Sequence, residues 1–222
     1  VIPINNVKFS SAIKGESLED TVMTMGTMSD CIVLRHPETG SVAKAADVSN
    51  VPIINAGDGE GEHPTQTLLD GFTIFYNNNE NIDNLRITMI GDLKNGRTVK
   101  SLVKLLSRYS GNHFNFVSPK ELSFPKDSLP KNSFETSKID EVINETDVLY
   151  VTRVQTERGS DHKYFLSLEK LNLLPKKSIV MHPLPRVSEI PRDFDSDPRA
   201  KYFDQMHYGL WCRMVLLRDI IS

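Results

Sequence analysis

Six short runs rich in β-branched and other apolar residues recur along the 222-residue chain: CIVLR (31–35), VPIIN (51–55), LRITMIGD (85–92), FNFV (114–117), DVLYVTR (147–153) and SIVMHP (178–183). Several are apolar almost without a break. A strand with one wet face alternates instead, so these runs read as strands covered on both faces. Helical patterns lie between them. SLEDTVMTMGTM begins at Ser17 with Asp20 three residues on, close to a capping box. PTQTLLDGFTIFY sets Leu68, Leu69, Phe72, Phe75 and Tyr76 on one face, and RTVKSLVKLLSRY does the same with Val99, Leu102, Val103 and Leu106. SKIDEVIN and the terminal LWCRMVLLRDII complete the helices. Strand–helix alternation of this kind predicts an α/β fold with mostly parallel sheets. Residues 119–138 and 156–177, rich in Pro, Ser, Lys and Asp, read as surface excursions, the first of them loop. The pattern divides near residue 63 into two α/β lobes, 1–63 and 64–208, with a terminal helix over 209–222 expected to pack back on the first.

In parallel sheets ligands bind outside the carboxyl ends of the strands. The unusual polar residues fall there: Arg35; Asn55 to His63; Asp92 to Arg97; Arg153 and Gln155; His182 to Arg186. Five successive strand ends so furnished suggest one shared crevice between the lobes. In NAGDGEGEHPTQ, Pro64 suits the first helical position, so His63 sits beside free N–H donors and the positive end of a helix. A neutral imidazole there can polarise a carbonyl oxygen, or simply cap the helix. In GDLKNGRT, Gly96 turns the chain and Arg97 opens the next helix. A cation is unfavourable at that end unless an anion joins it, and a guanidinium fork fits a carboxylate or phosphate. Alternation puts Arg153 and Gln155 on one side past their strand. The HPLPR turn, with Pro183 and Pro185, fixes the backbone after another and can hold a cis bond. Ser10 and Lys14 lie in a glycine-flanked loop.

The formal net charge of −3 argues against a general nucleic-acid binder. No apolar run approaches the ~18 residues of a membrane span, and VIPINNVKF lacks the features of a signal peptide. Cys31 and Cys212 read as free thiols in a reducing, cytoplasmic compartment. His36, His113, His162 and His207 show no metal-ligand spacing, and no GxSxG, P-loop or GxGxxG occurs. What remains is a set of arginines, a lysine and a histidine suited to a small, multiply anionic substrate, with catalysis by positioning and electrostatics and no cofactor.

On VLRHPETG, INAGDGEGEHPTQTLLD, GDLKNGRTVKSL, LYVTRVQTER, MHPLPRVSEI and DSDPRAKYF, in that order, the chain resembles the aspartate carbamoyltransferase family over nearly its whole length. HPLP stands where the related ornithine enzyme is expected to show HCLP. The resemblance implies transfer of the carbamoyl group from carbamoyl phosphate to L-aspartate in pyrimidine biosynthesis. Arg35, His63 and Gln66 would hold carbamoyl phosphate. Arg97, Arg153 and Gln155 would clamp the aspartate carboxylates. Leu184 and Pro185 would present backbone carbonyls, and Ser10 and Lys14 would reach a neighbouring subunit's site. It further implies a homotrimer with shared sites, within a larger pyrimidine-pathway assembly or fusion in some settings. The family's STRT phosphate loop has no counterpart in the chain, and segments near 120–138 and 158–172 are shorter than the family pattern. The expectation is that the carbamoyl phosphate lobe is incomplete because residues of a longer protein precede Val1. A non-catalytic scaffold, or a transcarbamoylase for another amine, are the alternatives.

Overall fold

A computed structural model describes residues 1–3, 15–59, 61–153 and 166–222. Ser10, Lys14 and Gln155 lie outside them. Contacts divide the chain into one unit of Val1–Thr65 with Arg213–Ser222, and a second of Gln66–Cys212.

In the first unit, α1 (Leu18–Gly26) begins where the sequence places it. The Ser17 hydroxyl accepts from the Asp20 amide at 3.0 Å, satisfying one of the orphan donors of the first turn. β1 (Ile32–His36), α2 (Ser41–Val48) and β2 (Ile53–Asp58) follow. β1 and β2 pair in parallel, Ile32 with Ile53 and Leu34 with Asn55. α3 (Pro64–Asn77) starts at Pro64 and carries the chain into the second unit.

The second unit is built on a five-stranded parallel sheet: β3 (Arg86–Ile90), β4 (His113–Val117), β5 (Ser133–Thr136), β6 (Val148–Val151) and β7 (Ile179–Met181), in the order β5-β4-β3-β6-β7. Between them lie α4 (Arg97–Leu106) and α5 (Leu168–Asn172), and α6 (Tyr202–Ile221) closes the chain. Side chains alternate across the sheet. One core holds Ile87, Met89, Phe114, Phe116, Val148 and Tyr150 under Ile74 of α3 and the α4 stripe Val99, Leu102, Val103 and Leu106. The other holds Ile90, Val117, Leu149, Val151 and Val180 under Ile143, Leu171, Phe194 and Tyr202. Both faces are covered, which is why these strands read as unbroken apolar runs. The polar side chains among them are paired: Thr88 and Thr146 hydroxyls meet at 2.6 Å, and Asn115 donates to Thr88 at 3.2 Å. Among the described residues no helix is long and apolar enough to cross a membrane.

Four local readings change. Of the α3 face drawn through Leu68, Leu69, Phe72, Phe75 and Tyr76, only Leu69 is buried, while Leu68, Phe75 and Tyr76 are exposed. The buried face runs through Gln66, Leu69, Asp70, Thr73 and Ile74, where Asp70 accepts from Gln66, Tyr150 and Gln205. SKIDEVIN forms two single 3₁₀ turns, Ile139–Glu141 and Ile143–Glu145, rather than an α-helix. The stretch read as loop contains edge strand β5, and α2 and α5 are short helices that the periodicity does not single out.

The sheet is pinched at one point. Thr152 donates its backbone N–H to the Ile90 carbonyl at 2.8 Å, and its hydroxyl donates to the same oxygen at 3.2 Å. Gly91, next to Ile90, adopts φ +122°, and a Cβ there would lie 2.3 Å from the Thr152 carbonyl oxygen. Gly91→Ala should therefore cost about 3 kcal/mol or more, strain and overpacking together. Urea unfolding measures this; a loss within ~0.5 kcal/mol, as at an ordinary surface position, would show that the pinch tolerates a side chain.

Candidate active site

In the first unit, two of the sequence-flagged residues lie at or beyond the ends of neighbouring strands. Arg35 is the penultimate residue of β1 and is exposed, on the same side as Val33. Opposite it the pairing register slips between Leu34–Asn55 and His36–Asp58, so β2 carries one extra residue, a bulge. Gly57 takes φ +132° there, and its N–H donates to Asn55 Oδ1 at 2.8 Å. The turns beyond the strands are tied together. Gly59 N–H reaches the His36 carbonyl at 2.9 Å, and Gly40 N–H, at the start of α2, reaches Asp58 Oδ2 at 3.0 Å. His63 ends this loop, half-buried, directly before Pro64, with the Thr65 hydroxyl 3.5 Å from its Nδ1. The imidazole thus stands at the mouth of a helix N-terminus, as its place in the sequence predicts.

In the second unit, the geometry follows from strand order. The chain runs β3, β4, β5 toward one edge, then returns to place β6 and β7 on the other side of β3. The order reverses between β3 and β6, and in open parallel sheets such a switch point opens a crevice at the carboxyl ends. The residues leaving those ends are the predicted ones. After β3, Asp92 is buried, and its carboxylate accepts from the Asn95 amide at 3.0 Å and from the Asn95 side chain. The Leu93 and Lys94 amides both donate to the Leu122 carbonyl. Gly96 packs so closely that a Cβ would lie 2.7 Å from the Asp92 carbonyl oxygen. This fixed turn delivers Arg97 as the first residue of α4, half-buried, at a helix start whose N-cap, Gly96, offers no side-chain cap. After β6, Arg153 follows Thr152 and is also half-buried.

After β7 comes the HPLP turn, with a cis bond between Leu184 and Pro185 and Leu184 at φ +47°. His182 is buried, and its Nδ1 accepts from the Leu184 N–H at 2.9 Å. That bond places the proton of the neutral ring on Nε2, which lies 3.9 Å from Glu189 Oε2. Burial, and then the nearby Arg186 and Arg153 guanidiniums, lower its pKa from 6.5 to about 4. His182 therefore stays neutral near pH 7 and keeps Nδ1 as an acceptor for the turn. β6 and β7 pair directly, Val148 with Ile179 and Tyr150 with Met181, so their carboxyl ends lie side by side.

Behind these ends lies a buried group that sequence reasoning did not single out. Asp70 of α3 accepts from Gln66 Nε2 at 2.9 Å and Gln205 Nε2 at 2.6 Å on Oδ1, and from Tyr150 Oη at 2.7 Å on Oδ2. Gln205 in turn accepts the His182 N–H on Oε1 at 3.0 Å. Burial, with the adjacent carboxylate second, pushes the Tyr150 hydroxyl pKa well up, so it remains a donor. The signal available in the sequence was a carboxylate four residues after Gln66 in an otherwise uncharged helix. Among the described residues, no group of three or more His, Cys, Asp or Glu side chains is set to hold a metal ion.

Comparison with known proteins matches both units. The model of the aspartate/ornithine carbamoyltransferase carbamoyl-P binding domain covers residues 1–75, and that of the Asp/Orn binding domain covers 83–220. The aspartate carbamoyltransferase catalytic subunit of Thermoplasma volcanium is 47% identical across all of this chain and 76% of its own length. That of Methanocaldococcus jannaschii is 46% identical, again across the whole chain and 76% of its length. Aspartate transcarbamoylase from Trypanosoma cruzi, solved in complex with aspartate and phosphate, superposes with a TM-score of 0.91 at 41% identity, covering 99% of this chain and 73% of that one. The same enzyme has been solved with carbamoyl phosphate and aspartate together. Two domain models in their family order, and near-half identity over the full span, leave one assignment: the chain belongs to the aspartate/ornithine carbamoyltransferase family.

Proposed function

We infer that the chain catalyses transfer of the carbamoyl group of carbamoyl phosphate to the α-amine of L-aspartate, giving N-carbamoyl-L-aspartate and phosphate. The observation that carries the aspartate half is the reversal of strand order between β3 and β6, with Arg97 and Arg153 leaving the two strands that flank it. Two guanidinium forks at one strand-end crevice suit a dicarboxylate. The likeness to catalytic subunits of aspartate carbamoyltransferase supports the same substrate pair.

The roles divide as follows. Arg97, Arg153 and Gln155 hold the two carboxylates. Arg35, His63 and Gln66 take carbamoyl phosphate, with His63 donating to the carbonyl oxygen. The aspartate amine, as free base, attacks the carbonyl carbon. The carbonyl electrons move onto oxygen, where a donor aimed at the developing oxyanion lowers the barrier. The tetrahedral centre then collapses, the bond to the phosphate oxygen breaks, and a proton of the former amine passes to the departing phosphate. The carbonyls of Leu184 and Pro185 accept from N–H groups of the reacting pair. Every step is positioning and charge stabilisation by this chain's own residues. Ser10 and Lys14 complete the site of a neighbouring subunit in a cytoplasmic homotrimer that serves pyrimidine synthesis.

Arg97→Ala should raise the aspartate KM about thirty-fold or more, the effect of losing ~2 kcal/mol or more with one partner of a buried charge pair. The KM for carbamoyl phosphate should move far less; steady-state kinetics with each substrate varied decides, and an unchanged aspartate KM removes Arg97 from the clamp. For His63→Ala the expectation is a kcat lower by about 10²–10³, as for loss of one oxyanion donor. Normal turnover would leave His63 a helix cap and nothing more. Shared sites predict complementation: mixing inactive Lys14→Ala and His63→Ala chains after gentle dissociation should restore activity. No recovery in mixed oligomers would place each site within one chain.

A further inference from the structure

Asp70 touches no proposed substrate atom, yet it is fully buried and bonded to side chains from two other elements, β6 and α6, besides Gln66 on its own helix. We propose that Asp70 is a positioning residue for the carbamoyl transfer site: its Oδ1 sets which way the Gln66 amide faces and, through Gln205, anchors the turn that carries Leu184 and Pro185.

The argument rests on donor and acceptor accounting. A glutamine amide has two ends of similar shape and opposite function. Gln66 commits Nε2 to Asp70 Oδ1 at 2.9 Å, so its Oε1 is turned away from the carboxylate. The carbamoyl group of the substrate carries an –NH₂, which needs an acceptor. An amide held the other way would present a donor to a donor. A carboxylate is the side chain that imposes this choice, because an ionised one accepts only. Gln66 also lies one helical turn before Asp70, the spacing at which helix side chains meet.

The second arm is equally directional. Gln205 lies between an acceptor, Asp70 Oδ1 at 2.6 Å, and a donor, the His182 N–H at 3.0 Å. Only one orientation of its amide serves both. The His182 ring then accepts the Leu184 N–H at 2.9 Å. A continuous chain of hydrogen bonds therefore runs from Asp70 to the backbone that presents the Leu184 carbonyl. One oxygen atom governs both arms, whereas Oδ2 is occupied by Tyr150 Oη, which leads to neither.

This asymmetry between the two oxygens makes the test, which rests on the proposed contact between Gln66 and carbamoyl phosphate. Asp70→Asn can keep an oxygen at the Oδ1 position and offer its amide to Tyr150 Oη. Asp70→Ala removes both acceptors, and Tyr150→Phe removes only the donor to Oδ2. With the full chain, Asp70→Ala should raise the carbamoyl phosphate KM and lower kcat by about ten-fold or more each, since small misplacements of reacting groups are costly. Asp70→Asn should stay within about three-fold of wild type, because its oxygen still accepts from both glutamines. Tyr150→Phe should lower the unfolding midpoint while leaving both KM values within about two-fold, because a buried partner is lost but Oδ1 is not. A merely structural Asp70 gives the opposite split: Asp70→Ala and Tyr150→Phe lose stability together and neither shifts KM, which overturns the proposal. Should Asp70→Ala fail to fold, Asp70→Glu keeps the charge but displaces the oxygens by a methylene, and wild-type kinetics in that variant overturns the proposal equally. Gln66→Ala, measured alongside, separates the two failures. If it leaves the carbamoyl phosphate KM unchanged, the Gln66 contact itself is wrong and this inference falls with it; if it shifts KM while Asp70→Ala does not, only the role of Asp70 is lost.

Discussion

The parallel pairing of β3 with β6 is the contact on which the second unit's chemistry depends. It joins strands far apart in sequence, Ile87 to Val148 through Ile90 to Val151. It also marks the place where the sheet stops growing one way and starts growing the other. Had β6 paired beyond β5 instead, Arg97 and Arg153 would leave the sheet three strands apart, roughly 14 Å at the usual inter-strand spacing. The Gly91–Thr152 approach keeps these strand ends close, and the buried Asp92 carboxylate shapes the turn that follows. Backbone geometry sets Arg97 and Arg153 just beyond the ends of two adjacent strands.

Such a cluster of cations has an electrostatic cost that the fold meets in two ways. Arg186, beside the same turn, is already paired bidentately with Asp195 at 2.5 Å and stacks on Tyr202. That pairing holds the Asp195 carboxyl below its usual range. His182, buried among these cations, is kept neutral rather than charged. One imidazole is thereby removed from the positive set and converted into a hydrogen-bond acceptor for the backbone. The guanidinium charge of Arg97 and Arg153 at the strand ends is complementary to an anion.

The sequence made the strands legible because sheets covered on both faces write themselves as uninterrupted apolar runs, and it made Arg97 legible because a guanidinium directly after a glycine at a helix start needs a reason. Ser17 capping α1 and Pro64 opening α3 are equally local, and local rules suffice for them. β5 was not legible: SFET is a four-residue edge strand, half exposed, with no apolar run to announce it. SKIDEVIN has helical spacing, but at Val142 φ −131° interrupts it, leaving two tight turns. The hardest case is α3. Periodicity counts apolar side chains, and so it draws the stripe through Leu68, Leu69, Phe72, Phe75 and Tyr76, of which only Leu69 is buried. The true inner face carries Gln66, Asp70 and Thr73 beside Leu69 and Ile74, and its carboxylate is accommodated because Tyr150 and Gln205 arrive from 80 and 135 residues away.

That failure has a physical lesson specific to this fold. A buried carboxylate is costly without partners, since leaving a desolvated charge unsatisfied outweighs what an apolar neighbour gains. It persists where several donors must be oriented at once. Leucine at position 70 would fill the same space and suit the apolar helix around it, but it would release the Gln66 amide, the Gln205 amide and, through the latter, the His182 backbone. Apolar packing is indifferent to which end of an amide points where; a carboxylate is not. The helix that begins beside His63 thus gives part of its inner face, beside the buried Leu69 and Ile74, to fixing directions, while Leu68, Phe75 and Tyr76 stay exposed on the other.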